Sequence, residues 1–392
     1  MAEDLSRITD LLCSLERAAV DRGLELLRAL QEPAHARRLL DGCTLDSSGA
    51  PGLNSVLLGV APAFREHVFI ALFFLSGRLA DVERLSLSAF EGEDLGALPL
   101  APALRTLRIL HGPLKRLSGQ PALQGLAVVG CPGLEDLTGV ETMPNLRELS
   151  VINCPVADGA ALAGHPALED LRLVELTLSS LAGVRRLPQL QQLIVTGMQH
   201  LESLSGLAEV PALRKVTVSD CPTLQGLGAS LPGLETLRLK SVPSLADLSA
   251  LAHSPGLRSL ELPRCPRPSV LSVLQDLPSL ETLDLKGSSQ LIRLPPMEGL
   301  VKLRSLSLSG CAQLRDLRPL EALPSLETLD LTGCESVTDL GVLERFPDLQ
   351  LIAEERFQRI FRRTRQRRRR AVWDDETRRR KKRRSRKRNR KS

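Results

Sequence analysis

PSLETLDLTGCESVTDL, residues 324–340, decides how the chain is read. Leu329 and Leu331 alternate with Thr328 and Asp330, a period of two that predicts a short strand with one buried face. Gly333 then turns the chain and Cys334 follows. In the preceding unit Leu314, Leu317 and Leu320 come every third residue, which predicts a short 3₁₀ or helical return. A proline ends nearly every return, because it lacks the N–H that a helix interior needs.

The same phrase recurs as PSLETLDLKGSSQLIRL from Pro278 and, more loosely, as PALQGLAVVGCPGLEDLTGV from Pro121. Its leading apolar residues are Val82, Leu104, Leu123, Leu146, Leu168, Leu190, Leu213, Leu234, Leu257, Leu280, Leu303, Leu326 and Leu349. Successive steps are 19 to 23 residues, mostly 22 or 23. Of the twelve frames from Leu104 on, only that of Leu303 lacks the proline. One unit cannot bury its own apolar face. Stacked units can, and their strands then form one parallel sheet.

This pattern resembles the leucine-rich repeat family, written Leu-x-x-Leu-x-Leu-x-x-Asn/Cys-x-Leu, from Val82 to about Ile352. The Gly-Cys form, as in LSLSGCAQLRDL from Leu306, resembles the repeats of intracellular members. The resemblance implies an α/β fold: a curved solenoid of about twelve repeats over residues 79–352, with its strands lining a concave face. The unit at Leu104 is short, and the returns after Leu146 and Leu257 read irregularly.

Composition fits a folded body with a charged appendage. Of 392 residues 43% are hydrophobic and 2% aromatic, so the core is aliphatic and few rings are available for stacking. The net charge of +6 hides a split: residues 356–392 carry +18 and the remainder −12. Residues 1–78 read as a helical N-terminal cap, with one amphipathic helix stopped by Pro33, a turn-rich patch, and a second helix from Phe64 to Leu75. Residues 353–361 read as a C-terminal cap, with Phe357 and Phe361 on its apolar face. Residues 362–392 have almost nothing to bury, and their charges repel, which predicts disorder. No transmembrane segment is expected, since the longest apolar run is VFIALFFL and a span needs about 20 residues. A monomer in the cytoplasm is expected, or in the nucleus if the source is eukaryotic.

The chain lacks a phosphate-binding loop, a dinucleotide fingerprint, a His-Glu-x-x-His helix and a nucleophile elbow. No catalytic, cofactor-binding or metal-ligating residues are expected, and the chain does not read as an enzyme. Cys131, Cys154, Cys221, Cys265, Cys311 and Cys334 each follow a leading leucine by eight residues, so they stack along one edge as small buried groups. Disulfides and zinc are disfavoured for such a ladder. The residue between the two inward apolar positions of each strand should face the hollow. The expected partner-binding set is Arg108, Arg172, Lys215, Thr217, Arg238, Lys240, Glu261, Asp284 and Asp330, basic in the earlier half and acidic in the later. The partner expected there is an unidentified protein. In the tail, Arg367, Arg368, Arg369, Arg370, Arg378, Arg379, Arg380, Lys381, Lys382, Arg383 and Arg384 are expected to hold a polyanion, either nucleic acid or an anionic surface. Two other functions compete with this scaffold. In one the tail is the main element of a nucleic-acid-associated protein; in the other the N-terminal helices dock a catalytic partner.

Overall fold

The computed structural model describes residues 2–14, 16–30, 33–40, 60, 65–76, 81–88, 90, 92–98, 101–346, 348–363 and 366. The chain divides into two compact units, residues 1–223 and 224–392.

The first unit opens with helices α1 (Ala2–Leu12), α2 (Arg17–Ala29), α3 (Pro33–Leu39) and α4 (Arg65–Leu75). The single helix read up to Pro33 is in fact two. It breaks near Ser14, whose hydroxyl oxygen accepts the Glu16 N–H at 3.1 Å, a local bond that competes with the helix. Pro33 starts α3 instead of only stopping its predecessor, because a first-turn residue needs no donor. Leu12, Val20, Leu24, Phe69 and Leu72 are buried, and the Phe69 and Phe73 rings lie 4.3 Å apart. Arg37 Nε donates to the Ser76 carbonyl at 3.0 Å, tying α3 to the end of α4. Among the described residues no helix is long and apolar enough to cross a membrane.

Seven strands follow in this unit: β1 (Arg84–Leu87), β2 (Thr106–Leu110), β3 (Gly125–Val129), β4 (Glu148–Ile152), β5 (Asp170–Val174), β6 (Gln192–Thr196) and β7 (Lys215–Ser219). They pair in parallel and in chain order, one strand per repeat. Leu107, Leu126, Leu149, Leu171, Leu193 and Val216 stand in register and are buried. Each such side chain contributes about 1.5–3 kcal/mol by leaving water.

The second unit repeats the plan with β8 (Thr236–Lys240), β9 (Ser259–Glu261), β10 (Thr282–Asp284), β11 (Ser305–Ser307), β12 (Thr328–Asp330) and β13 (Gln350–Ile352). Leu237, Leu260, Leu283, Leu306, Leu329 and Leu351 align across them. The irregular return after Leu257 becomes a nine-residue 3₁₀ segment, Pro268–Asp276, that buries Val270, Leu271, Val273 and Leu274. Residues 355–363 form helix α5, which buries Phe357 and Phe361. Arg362, Arg363 and Gln366 are therefore helical, although the tail was expected to be disordered from 362. The rest of that expectation, including every tail residue named above for polyanion binding, lies outside the described residues.

The returns have a device the periodicity did not disclose. Asp94, Asp136, Asp158, Asp247, Asp316 and Asp339 each accept the N–H two residues on, at 2.8–2.9 Å. This Asx turn aims the chain into the 3₁₀ segment, whose first amides otherwise lack partners.

Candidate interaction surface

In β2–β6 the side chains pointing away from the core form three rows that run across the strands. The first contains Thr106, Gly125, Glu148, Asp170 and Gln192. The second contains Arg108, Ala127, Ser150, Arg172 and Ile194, and Thr217 on β7 continues it. The third begins Leu110, Val129, Ile152 and Val174, all half-buried, and continues as Thr196 and Ser219. Gly125, Ala127 and Ser150 are small, so the sheet is dented there. The dent is a hollow of about 320 Å³ lined by residues of β2 to β6, among them Glu148, Asp170, Arg172 and Gln192.

The expected partner-binding residues sit on this wall in their own units. Arg108 is on β2, Arg172 on β5, and Lys215 with Thr217 on β7. Arg238 and Lys240 are on β8, Glu261 on β9, Asp284 on β10 and Asp330 on β12. Within the second unit Arg238, Glu261, Asp284, Ser307 and Asp330 share one register row.

Their chemical states differ. Among the described residues, Arg108, Glu148, Asp170 and Arg172 have no side-chain hydrogen bond or ion pair. By contrast, Arg238 Nε donates to Glu261 Oε1 at 2.8 Å. Asp284 Oδ1 accepts the Lys286 N–H at 2.8 Å, and Asp330 Oδ1 accepts the Thr332 N–H and hydroxyl at 2.9 and 2.7 Å. These acids shape the turns that end their strands as well as facing solvent.

One edge of the wall carries ion pairs between successive repeats. Arg147 pairs with Glu169 at 3.1 Å, Arg258 with Glu281 at 3.7 Å, and Arg304 with Glu327 at 2.9 Å. All six side chains are exposed to a third or more, so each pair contributes at most about 1 kcal/mol.

The ladder thiols each follow the second inward residue of their strand by three positions. The six ladder cysteines are free and buried. Cys334 Sγ donates to the Leu308 carbonyl at 3.1 Å and Cys311 Sγ to that of Leu285 at 3.4 Å. Cys154 Sγ accepts the Cys131 N–H at 3.4 Å, and Ser288 takes the same role for the Cys265 N–H at 3.1 Å. Burial pushes the Cys334 thiol up to about 12 and those of Cys221 and Cys311 up to about 11, which leaves them unreactive. Cys154 is the exception: the Cys131 S–H beside it holds its thiol below the ordinary value, but the pair is shielded from solvent. Among the described residues no three His, Cys, Asp or Glu side chains are grouped as a metal site would require.

The third row and the aspartate turns are what reading one residue per strand missed. The signal for the row was present: LRIL, LAVV, LSVI and LRLV all end in an apolar residue beyond the second inward position.

Residues 301–345 match the family model described as leucine-rich repeats in two copies. No curated protein matches the chain by sequence. Among solved structures, TLR13 in its complex with ssRNA13 is similar at 19% identity and a TM-score of 0.55, over 69% of this chain and 42% of that one. The chain thus spans less than half the length of that relative. A leucine-rich repeat protein of Leptospira interrogans is 18% identical over 71% of this chain and 79% of its own, with a TM-score of 0.39. An internalin of Listeria monocytogenes is 17% identical over 64% and 88%, with a TM-score of 0.32. Residues 301–345 thus match the leucine-rich repeat model, and both units have the leucine-rich repeat fold, with one parallel strand per repeat.

Proposed function

We propose that this protein is a non-catalytic scaffold that holds a partner protein against the strand-lined face. Such solenoids are commonly protein-interaction scaffolds. One observation carries the reading. Inward strand positions are confined to Leu, Val and Ile, whereas the outward row runs Arg108, Ala127, Ser150, Arg172, Ile194, Thr217. Folding uses one set of positions and leaves the other to vary in charge and size. Charge on this wall sets orientation and association rate more than affinity, and with few aromatic anchors the contact must be broad. Arg172→Glu and Arg238→Glu in the full chain should each weaken partner capture. Capture unchanged by both dismisses the face.

The tail is proposed to tether this scaffold to a polyanion within the cytoplasm, on the strength of its charge alone. Filter binding of DNA or RNA in rising salt, with the full chain and a chain ending at 363, tests this. Equal affinity of the two ends the tail reading and with it the nucleic-acid-associated alternative.

A further inference from the structure

We infer that the first unit's wall is built for an α-helical segment of a partner protein, about ten residues long, lying across β2–β5. This rests on the reading of the wall as a partner surface and names what the partner must present.

The three outward rows differ in kind. The first holds the carboxylates Glu148 and Asp170 side by side in register. The second holds Arg108 and Arg172. The third is the aliphatic stripe Leu110, Val129, Ile152, Val174. In the second unit the residue after the second inward leucine of β8 to β12 is Lys240, Pro263, Lys286, Ser309 or Thr332, so no aliphatic stripe continues there. Like charges on adjacent strands are unfavourable, and neither Glu148 nor Asp170 meets a cation among the described residues. Among the described residues the arginines likewise meet no anion. All four charges are left for something outside.

Geometry selects the occupant. Strands lie about 4.8 Å apart. A helix crossing them advances about 5.4 Å per turn, so residues three or four apart come to rest over successive strands. An extended segment puts its same-side residues nearly 7 Å apart and falls out of step. From the first row to the third is four residues of strand, about 13 Å, and a helix with side chains is about 10–12 Å wide. One helix therefore touches all three rows. Four strands span about 15 Å, or roughly ten helical residues. The complementary helix has aliphatic residues at three-four spacing on one flank, Asp or Glu along its centre, and Lys or Arg on the other flank, reaching the hollow beside Glu148 and Asp170.

The probe is a library of fourteen-residue peptides in a helix-forming alanine frame, selected on the full chain. The expected winners carry that three-part pattern and bind at least tenfold more weakly to Ile152→Asp. Ile152→Thr, which keeps the β-branched backbone preference, should give an intermediate loss. Selection on Arg172→Glu should replace the central acid by a base. Winners indifferent to Ile152→Asp and Arg172→Glu, or no enrichment over the bare frame, overturn the inference. Winners lost only on Asp284→Lys overturn it but leave a strand-face scaffold standing. Winners indifferent to all three sink both. A dimer in sedimentation that Ile152→Asp dissociates, or peptide affinity that rises when residues 364–392 are removed, gives the stripe to a second copy or to the tail and also overturns it.

Discussion

His165 shows how a single polar residue is carried inside an aliphatic stack. It precedes a proline, as do Gln120 and Ser254, and all three are buried. Each bonds the carbonyl at the matching place one repeat earlier: Gln120 Nε2 to Leu98 at 2.9 Å, His165 Nε2 to Met143 at 3.1 Å, Ser254 Oγ to Leu231 at 2.8 Å. His165 Nδ1 also accepts the Ala167 N–H at 3.4 Å, so the ring is neutral with its proton on Nε2. Burial holds its pKa below the ordinary value near 6.5. An unfolded histidine takes up its proton first. Stability is therefore full above about pH 6.5 and is lost as pH falls toward the folded value. The urea midpoint should drop between pH 7 and 5.5 in the wild type and flatten in His165→Gln, which can keep the bond to Met143. Equal slopes would show that the ring does not titrate with folding.

Gly139 is the other residue where local geometry decides. Its φ is 103°, and a Cβ there would lie 2.2 Å from the Ser118 nitrogen. Gly139→Ala should cost about 2–3 kcal/mol, combining left-handed strain with a backbone clash. It would be read as a lowered urea midpoint at unchanged slope.

At the scale of elements, the strands were legible in the sequence because their period of two is the period of the pleat. The returns were legible only as apolar spacing. What shapes most of them is the aspartate ahead of the 3₁₀ turn, and an Asp beside a leucine looks like any surface acid. Three of these carboxylates, Asp136, Asp247 and Asp316, are held below the usual carboxylate range by hydrogen bonds from the residue two positions on; Asp316, next to the Arg318 guanidinium, reaches about 2. The helix break at Ser14 and the start at Pro33 were missed for the same reason: single-residue capping leaves no periodic trace.

The ion pairs belong to this scale too. Glu281, Arg304 and Glu327 occupy one position in three successive repeats of the second unit, alternating in sign. Arg304→Glu would set three acids in a row. A loss of about 0.5–1 kcal/mol is expected at low salt, shrinking in about 1 M NaCl as the Debye length falls to 3 Å. A loss that persists in salt would mean that Arg304 acts by packing.

For the whole molecule, the repeat alone implied the architecture, since a unit that cannot bury its own leucines must stack. The candidate surface was only partly legible. Arg108 and Arg172 were visible as outward residues, but the sequence could not show that Arg238 is occupied by Glu261 or that Asp284 and Asp330 bond their own turns. The aliphatic stripe was passed over because apolar residues in a strand read as core, and here they are half exposed. The scaffold reading predicts that function resides on one side of each repeat. Carboxylate footprinting with a water-soluble carbodiimide, on the full chain with and without a selected helical peptide, tests this most directly. Glu148 and Asp170 on the wall should lose labelling while Asp136 and Asp158, exposed on the returns just before those two strands, keep theirs. Protection of Asp136 and Asp158 with Glu148 and Asp170 still labelled would place recognition on the other side and contradict the account.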